Sequence, residues 1–230
     1  MQSINTVIFD FDGVIADSVN SIFKWFQYAA SVFHIELPIQ SSDDLKERFF
    51  EPFPEFYKYL GFSWENDLER IYAEYIAYHS THSVTLINGI RSVIERLSGY
   101  PGMKLGIVSS NIQGILESNL EQHGLKDMFD VIRGVDKDDT TPLKPDPTIL
   151  LETLDILKTP LNRSVYIGDQ PSDVLTAYNA SKTREDGPIL SISVTTGFAS
   201  REKLESITPR ADYIIDHPSE IFEKVEFFKN

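Results

Sequence analysis

The sequence contains no cysteine, a minority of basic residues and no long hydrophobic run, and each absence excludes a class of protein. Without cysteine among its 230 residues, the chain can form no disulfide and can use no thiol in catalysis or metal binding. The 21 lysines and arginines against 35 aspartates and glutamates give a net charge of −14. Binding to nucleic acid requires clustered positive charge, so we expect no nucleic-acid partner.

Membrane and secretion signals are also missing from the sequence. It contains no stretch of about 18 consecutive apolar residues, so we expect no membrane-spanning helix and no membrane partner. The first residues lack the basic segment and apolar run of a signal peptide, which predicts a cytoplasmic protein. The hydrophobic content of 41% is ordinary for a globular chain, and the length suffices for one large domain or for a core with a smaller insert.

Two carboxylates that follow an apolar run near the start of the chain form its most informative motif. Residues 4–9 predict a buried strand. Asp10 and Asp12 follow this strand, and Gly13 supplies the tight turn that would end it. Desolvated carboxylates are costly without a partner, and a divalent cation is the simplest partner. A turn in which an aspartate caps the strand end is the alternative explanation.

The segment that follows the first motif shows a helical pattern. Apolar residues recur there at helical spacing as far as about residue 84. We predict three helices, at 19–33, 42–50 and 65–79. Pro52 and Pro54 argue against regular structure between the last two of these helices. Many aromatic residues lie in this segment, and we expect most of them to form its small core.

From about residue 85, apolar strands alternate with helical segments. The predicted strands lie at 104–108, 131–132, 164–167, 190–194 and 213–215. The predicted helices lie near 90–98, from about 112 to 122, and at 147–157, 172–180 and 218–228. This alternation predicts an α/β fold with parallel strands joined by right-handed crossovers.

Polar side chains follow several of the predicted strands. They are Asp10, Asp12, Ser109, Lys144, Asp169 and Asp173. The carboxyl ends of parallel strands share one edge of a sheet, where ligands bind, so we expect these side chains to converge. Carboxylates suit Mg²⁺, and a lysine with a hydroxyl suits an anionic ligand. Each residue also has an ordinary explanation, such as a helix cap for Ser109 or a solvated loop position for Lys144.

Four short segments, in this order along the chain, resemble the motifs of the haloacid dehalogenase superfamily. They are Asp10-Phe11-Asp12-Gly13-Val14, Ser109 at a strand end, Lys144-Pro145-Asp146-Pro147 and Gly168-Asp169-Gln170-Pro171-Ser172-Asp173. The chain looks like the members that carry a helical cap, such as phosphoglycolate phosphatase and β-phosphoglucomutase. The resemblance implies a Rossmann-like core with a doubly wound parallel sheet at 1–17 and 85–230, and a helical cap at 18–84.

The resemblance also implies a role for each site residue. Asp10 corresponds to the nucleophile that forms an aspartyl-phosphate, and Asp12 to the general acid and base. The residues implied to hold the substrate phosphate are Ser109, Lys144, Gly13, Ser110 and Asn111. The residues implied to bind the metal, Mg²⁺, are Asp10, Asp12, Asp169 and Asp173.

The function implied is a Mg²⁺-dependent phosphatase acting on a small phosphorylated metabolite. A sugar phosphomutase is the alternative, although those enzymes tend to carry Glu at the position of Gly168 and lack an acid at that of Asp173. A non-catalytic protein that binds a phosphate ligand is a third possibility. The sequence identifies neither the substrate nor the oligomeric state. Arg48 could meet a second anionic group of the substrate or lie in solvent on its helix.

Overall fold

The computed structural model describes residues 3–50, 52–136 and 141–228 of the chain. The protein divides into two compact units. The larger unit comprises Met1–Asp17 with Leu86–Asn230, and the smaller unit comprises Ser18–Thr85. Their predicted roles as catalytic core and cap stay predictions.

A six-stranded sheet forms the centre of the larger unit. Its strands, in their order across the sheet, are β5 (Val131–Val135), β4 (Lys104–Ile112), β1 (Thr6–Phe9), β6 (Ser164–Gly168), β7 (Leu190–Val194) and β8 (Tyr213–Ile215). Every neighbouring pair in this order is parallel. The predicted fold class, an α/β Rossmann-like sheet, is therefore confirmed.

Strand β1 lies in the interior of this sheet and positions the first motif. It pairs with β4 on one side and with β6 on the other, so that Phe9 lies opposite both Ile107 and Ile167. Its residues from Val7 to Phe9 are fully buried, as expected for a parallel strand that is covered on both faces. The chain therefore releases Asp10 at the carboxyl edge, directly beside the end of β6.

Helices flank the sheet of the larger unit. They are α5 (Ile90–Ser98), α6 (Gln113–Gln122), α7 (Thr148–Leu157), α8 (Pro171–Thr183), α9 (Arg201–Ser206) and α10 (Ile221–Lys224). Short 3₁₀ turns lie at Lys126–Met128, Leu161–Arg163, Pro218–Glu220 and Glu226–Phe228. Leu150 and Leu154 of α7 belong to a buried apolar cluster that also contains Ile8 and Tyr166.

Among its described residues, the smaller unit contains four helices. They are α1 (Ser18–Phe33), α2 (Ser42–Arg48), α3 (Phe53–Tyr59) and α4 (Trp64–His79). Aromatic side chains fill its core, as expected: the Phe26 ring lies 5.8 Å from that of Phe56 and 5.3 Å from that of Tyr57. The indole N–H of Trp25 donates a hydrogen bond of 2.9 Å to the Tyr57 hydroxyl. Two short strands, β2 (Ala16–Asp17) and β3 (Thr85–Leu86), pair where the chain enters and leaves this unit.

The prediction of irregular structure around Pro52 and Pro54 was wrong, because α3 begins there. Pro52 is the residue before the helix, and Pro54 lies in its first turn. The first turn has no intrahelical partner for the backbone N–H groups that proline lacks, so it tolerates proline. The predicted final helix at 218–228 is also wrong as one element, since α10 covers only Ile221–Lys224 between two 3₁₀ turns.

Within the described residues, none of the helices combines the length and the apolar character that crossing a bilayer requires.

Candidate active site

Three carboxylates meet at the carboxyl edge of the sheet, at the ends of the neighbouring strands β1 and β6. Asp10 follows β1, Asp169 follows β6, and Asp173 lies in the first turn of α8. Each offers an oxygen atom, and these atoms all lie within 4.8 Å of one another. All three residues are buried, between 1% and 5% exposed. The structure thus brings Asp10, Asp169 and Asp173 together.

Lys144 supplies positive charge to this cluster. Its ammonium lies 2.8 Å from Oδ2 of Asp10 and 2.7 Å from Oδ1 of Asp173. Burial alone would lower the pKa of Lys144, but the two carboxylates raise it well above its usual value. The side chain therefore stays charged. Three carboxylates against one ammonium leave the cluster with an excess of negative charge, which a divalent cation would balance.

Asp10 is an ionisable group in an unfavourable environment. Burial raises its pKa well above the usual value, the charge of Lys144 lowers it, and the neighbouring carboxylates raise it further. One oxygen, Oδ1, accepts a hydrogen bond of 2.7 Å from the backbone N–H of Phe11. The other, Oδ2, faces Lys144. Both oxygens are thus oriented by protein donors.

Asp169 is held by donors on one of its two oxygens. Oδ2 accepts hydrogen bonds from the backbone N–H of Phe198, at 2.7 Å, and from the side-chain amide of Gln170, at 3.0 Å. Burial, reinforced by the charge of Asp173, raises the pKa of Asp169 to about 7. With Oδ2 occupied in this way, Oδ1 is the oxygen that fits a cation.

Asp173 has every acceptor position of its carboxylate occupied by the protein. Oδ1 accepts hydrogen bonds from Lys144 at 2.7 Å and from the hydroxyl of Tyr166 at 2.9 Å. Oδ2 accepts from the backbone N–H groups of Asp169 at 3.1 Å and Gln170 at 3.0 Å. A carboxylate offers about four acceptor positions, so this geometry favours an orienting function for Asp173 over a direct metal contact.

Asp12 lies outside the cluster of three carboxylates. Its Oδ2 accepts a hydrogen bond of 3.0 Å from the side-chain amide of Asn111, which belongs to β4. The structure therefore does not bring the Asp12 side chain together with the other predicted metal ligands.

The predicted phosphate-binding residues lie on three segments of the chain: Gly13 follows β1, Ser109, Ser110 and Asn111 lie on β4, and Lys144 precedes α7. Ser109 is buried, and its hydroxyl accepts a hydrogen bond of 3.1 Å from the backbone N–H of Asn111. Ser110 is half-buried between them on β4. Gly13 has a φ of +74°, and a Cβ there would lie 2.6 Å from the Asp169 carboxylate. Only glycine therefore permits both the turn and the close approach at that position.

Three neighbours of the site were not predicted as site residues. Phe198, in the segment after β7, donates its backbone N–H to Asp169. Beside it, a Cβ on Gly197 would lie 1.9 Å from Oδ2 of Asp169. Tyr166 donates its hydroxyl to Asp173 from within β6. The isolated Gly197 and a tyrosine in an otherwise apolar strand were the signals available in the sequence.

Comparisons with known proteins agree with this geometry. Pyrophosphatase PpaX of Bacillus cereus is 26% identical over 223 residues, which are 95% of this chain and 94% of that protein. A relative from Caldanaerobacter subterraneus subsp. tengcongensis, 28% identical over 94% of this chain and 91% of its own length, also carries the name PpaX. The crystal structure of a predicted phosphatase from Clostridium acetobutylicum matches with a TM-score of 0.79 and 26% identity, covering 97% of this chain and 99% of that one.

Membership of a family is shown by the match to a sequence model of that family. The pattern of haloacid dehalogenase-like hydrolases matches residues 7–183, which include every predicted site residue. The resemblance drawn from the four motifs is thereby confirmed, and so is the expectation of an enzyme. This protein belongs to the haloacid dehalogenase-like hydrolase family.

Proposed function

We propose that this protein is a Mg²⁺-dependent phosphatase that hydrolyses a small phosphorylated metabolite through a phosphorylated Asp10. The observation that carries the proposal is the contact of 2.8 Å between Asp10 and Lys144, next to Asp169 and Asp173. A nucleophilic carboxylate, a fixed cation and two further acids within one cluster suit attack on a phosphorus atom.

The donor set fits Mg²⁺ as the resident metal. Carboxylate oxygens are the ligands that this ion prefers, and it usually keeps several waters. Asp10 and Asp169 would hold it directly, while Asp173 would orient its surroundings through the groups it binds. When bound, the ion withdraws electrons from the phosphoryl group and reduces the repulsion between that group and Asp10.

The first step is an attack of Asp10 on phosphorus. An oxygen–phosphorus bond forms to the Asp10 carboxylate while the bond to the leaving oxygen breaks, and Asp12 gives its proton to that oxygen. Lys144 stays beside Asp10 and stabilises the negative charge on the phosphoryl oxygens. Ser109 supplies a further donor to these oxygens, whereas the backbone N–H of Gly13 already donates to the carbonyl of Ala16 at 2.9 Å.

The second step releases phosphate. Asp12, now ionised, takes a proton from a water molecule as that water attacks phosphorus, and the bond between phosphorus and Asp10 breaks. Asn111 holds Asp12 at 3.0 Å in one orientation for both steps. The Asp10 carboxylate is thereby restored.

The nucleophile is tested with Asp10→Asn on p-nitrophenyl phosphate. We expect no measurable release of phosphate and an unchanged circular dichroism spectrum. The exposed Asp127→Asn variant, with the same change in charge, should keep full activity. Borohydride trapping should convert residue 10 to homoserine during wild-type turnover. Turnover by Asp10→Asn would refute the assignment.

The role of Asp12 is tested with the same substrate, whose leaving group departs without a proton. Asp12→Asn should still form the phosphorylated enzyme, but it cannot activate water for the second step. We expect a burst of p-nitrophenol equal to the amount of enzyme, followed by a slow phase. Linear release at the wild-type rate would contradict the role.

The metal is tested by chelation. EDTA should abolish turnover by the wild type, and Mg²⁺ should restore it. Asp169→Asn should need far more Mg²⁺ for the same rate. Full activity in excess EDTA would contradict the proposed cofactor.

Inorganic pyrophosphate is a second candidate substrate, favoured by the PpaX relatives that match nearly the whole chain. The same steps would apply, with phosphate as the leaving group. Comparing kcat/KM for pyrophosphate with kcat/KM for a panel of phosphomonoesters decides between the two substrate classes. A ratio well above one for pyrophosphate would favour a pyrophosphatase.

The phosphomutase alternative is disfavoured by the surroundings of Gly168. A Cβ at this position would lie 2.3 Å from Cβ and Cγ of Asp173. The glutamate that mutases tend to carry there is therefore incompatible with this placement of Asp173. Glucose 1-phosphate should accordingly yield phosphate and no isomerised sugar phosphate.

The smaller unit is the candidate for substrate selection, and its role as a cap stays a prediction. Arg48 pairs with Asp44 one turn earlier on α2, and its guanidinium also donates to the Tyr59 hydroxyl at 3.3 Å. These contacts within its own unit favour the reading of Arg48 as a solvated helix residue.

A further inference from the structure

We propose that Tyr166 is a positioning residue for catalysis. Its hydroxyl fixes the carboxylate of Asp173 and, through it, the ammonium of Lys144 beside Asp10. This inference rests on the proposed phosphatase function. It adds to the site a residue from the interior of the sheet.

Three consecutive hydrogen bonds connect Tyr166 to the proposed nucleophile, Asp10. The Tyr166 hydroxyl donates to Oδ1 of Asp173 at 2.9 Å. The same oxygen accepts from Lys144 at 2.7 Å, and Lys144 reaches Oδ2 of Asp10 at 2.8 Å. All of these distances lie within the range of well-formed hydrogen bonds, and bonds to charged groups are the stronger ones.

Packing alone does not account for a tyrosine at this position. The ring is 1% exposed and belongs to an apolar cluster with Ile8, Leu150 and Leu154, where a phenylalanine ring would pack equally well. The hydroxyl has a second acceptor near it, the carbonyl of Val108, but at 3.4 Å. A buried hydroxyl needs a partner, and the shorter contact identifies Asp173 as that partner.

The hydroxyl approaches Asp173 from a different direction than its other donors. Two of those donors are backbone N–H groups of the turn that Asp173 itself caps, at Asp169 and Gln170. The third is the flexible ammonium of Lys144. Tyr166 therefore ties the carboxylate to a rigid central strand, and without it Oδ1 could shift together with Lys144.

A shift of Lys144 should act on the transition state more than on substrate binding. The ammonium stabilises charge on the phosphoryl group as the bond to Asp10 forms, and small displacements of such groups are costly. We expect Tyr166→Phe to lower kcat about ten-fold, as outer positioning residues typically do, and to leave KM nearly unchanged.

Thr6→Val is the matched control for the kinetic test. Thr6 lies at the opposite end of β1, and its hydroxyl donates a buried hydrogen bond of 2.9 Å to Thr159. This variant should lower the urea midpoint of unfolding much as Tyr166→Phe does, yet keep the wild-type kcat. Wild-type kcat in Tyr166→Phe, an equal loss of kcat in Thr6→Val, or a rise of KM at unchanged kcat would each overturn the proposal.

A second readout tests the geometry without turnover. Acetic anhydride labels accessible amines, and mass spectrometry follows the labelling of Lys144 in metal-free protein. Labelling should be several-fold faster in Tyr166→Phe than in the wild type or Thr6→Val. In an Asp173→Asn background, Tyr166→Phe should add no further change, because the hydroxyl acts through Asp173.

The two readouts separate this inference from the proposed function. A wild type that releases no phosphate from any ester or from pyrophosphate contradicts the phosphatase function alone. Equal labelling rates of Lys144 in the wild type and Tyr166→Phe contradict the positioning role, whatever the activity.

Discussion

Gly197→Ala is the smallest change that should disable the site. Gly197 lies outside the four sequence motifs, yet a Cβ at this position would lie 1.9 Å from Oδ2 and 2.4 Å from Cγ of Asp169. The backbone φ of Gly197 is not in the left-handed region, so alanine brings no strain of its own. The conflict at this contact is therefore between the added methyl group and the side chain of Asp169.

The size of the loss in activity follows from the distance that the atoms must move to relieve the clash. Real Cβ atoms essentially never approach another heavy atom closer than 3.0 Å, so Asp169 or the Gly197 segment must move by more than 1 Å. Such a movement also lengthens the hydrogen bond from Phe198 to Oδ2. A displacement of this size at a catalytic site costs about 10²-fold in rate. Overpacking of this kind costs about 1–3 kcal/mol of stability.

The assay measures kcat/KM with Mg²⁺ titration, together with urea unfolding in EDTA. We expect Gly197→Ala to lose about 10²-fold in kcat/KM and to need more Mg²⁺. The control is Gly114→Ala on α6, where nothing lies within 4 Å of the new Cβ. Alanine there should keep full activity and gain up to about 1 kcal/mol, since glycine is a poor helix former. Gly197→Ala with activity within two-fold of wild type would refute the reasoning.

Three further predictions concern titration and positioning. Burial raises the pKa of Asp169 from 3.8 to about 7, so the folded protein holds a proton that the unfolded chain loses. The free energy of unfolding of the metal-free protein, measured by urea titration, should therefore fall as the pH rises from 4 to 7. The fall should be smaller in Asp169→Asn, and an equal fall in this variant and the wild type would contradict the prediction. Burial lowers the pKa of His79 to about 4, which costs stability as the pH falls below about 6.5. His79→Phe should reduce the loss of stability at acid pH. An unchanged loss in this variant would contradict the prediction. Asn111→Ala should lower kcat about ten-fold, because Asp12 loses its orienting donor, and stopped-flow burst kinetics check which step is slowed.

Much of the fold could be predicted because its strands are continuous apolar runs. The expected strands at 190–194 and 213–215 and the helix at 90–98 match the observed elements residue for residue. Parallel strands buried on both faces leave little ambiguity in such patterns. Strands β2 and β3 have two residues each, which is too short for an apolar periodicity to predict them.

Errors occurred where local chemistry outweighed the pattern. The helix expected to open at Pro147 begins at Thr148. The Asp146 carboxylate accepts hydrogen bonds from both the N–H, at 2.9 Å, and the hydroxyl of Thr148, at 2.6 Å, so Asp146 contacts the start of the helix as a cap does. Strand β4 continues to Ile112, beyond the predicted end at 108, with an irregularity after Val108 that places Asn111 near Asp12. Apolar periodicity does not encode the side-chain contacts that accompany these boundaries.

The hydrogen-bond donors around each acid are the part of the site that the sequence could not provide. Asp12, Asp169 and Asp173 are the same residue type, and the family resemblance assigned all of them to the metal while also giving Asp12 the role of general acid and base. Their hydrogen-bond donors differ: Asn111 donates to Asp12, two donors share one oxygen of Asp169, and four donors reach the carboxylate of Asp173. Three of these donors are backbone N–H groups, those of Phe198, Asp169 and Gln170, and every residue except proline possesses such a group. The chemistry of each acid is therefore set by the path of the chain around it, and a substitution that moves that path should change its role as surely as replacing the acid.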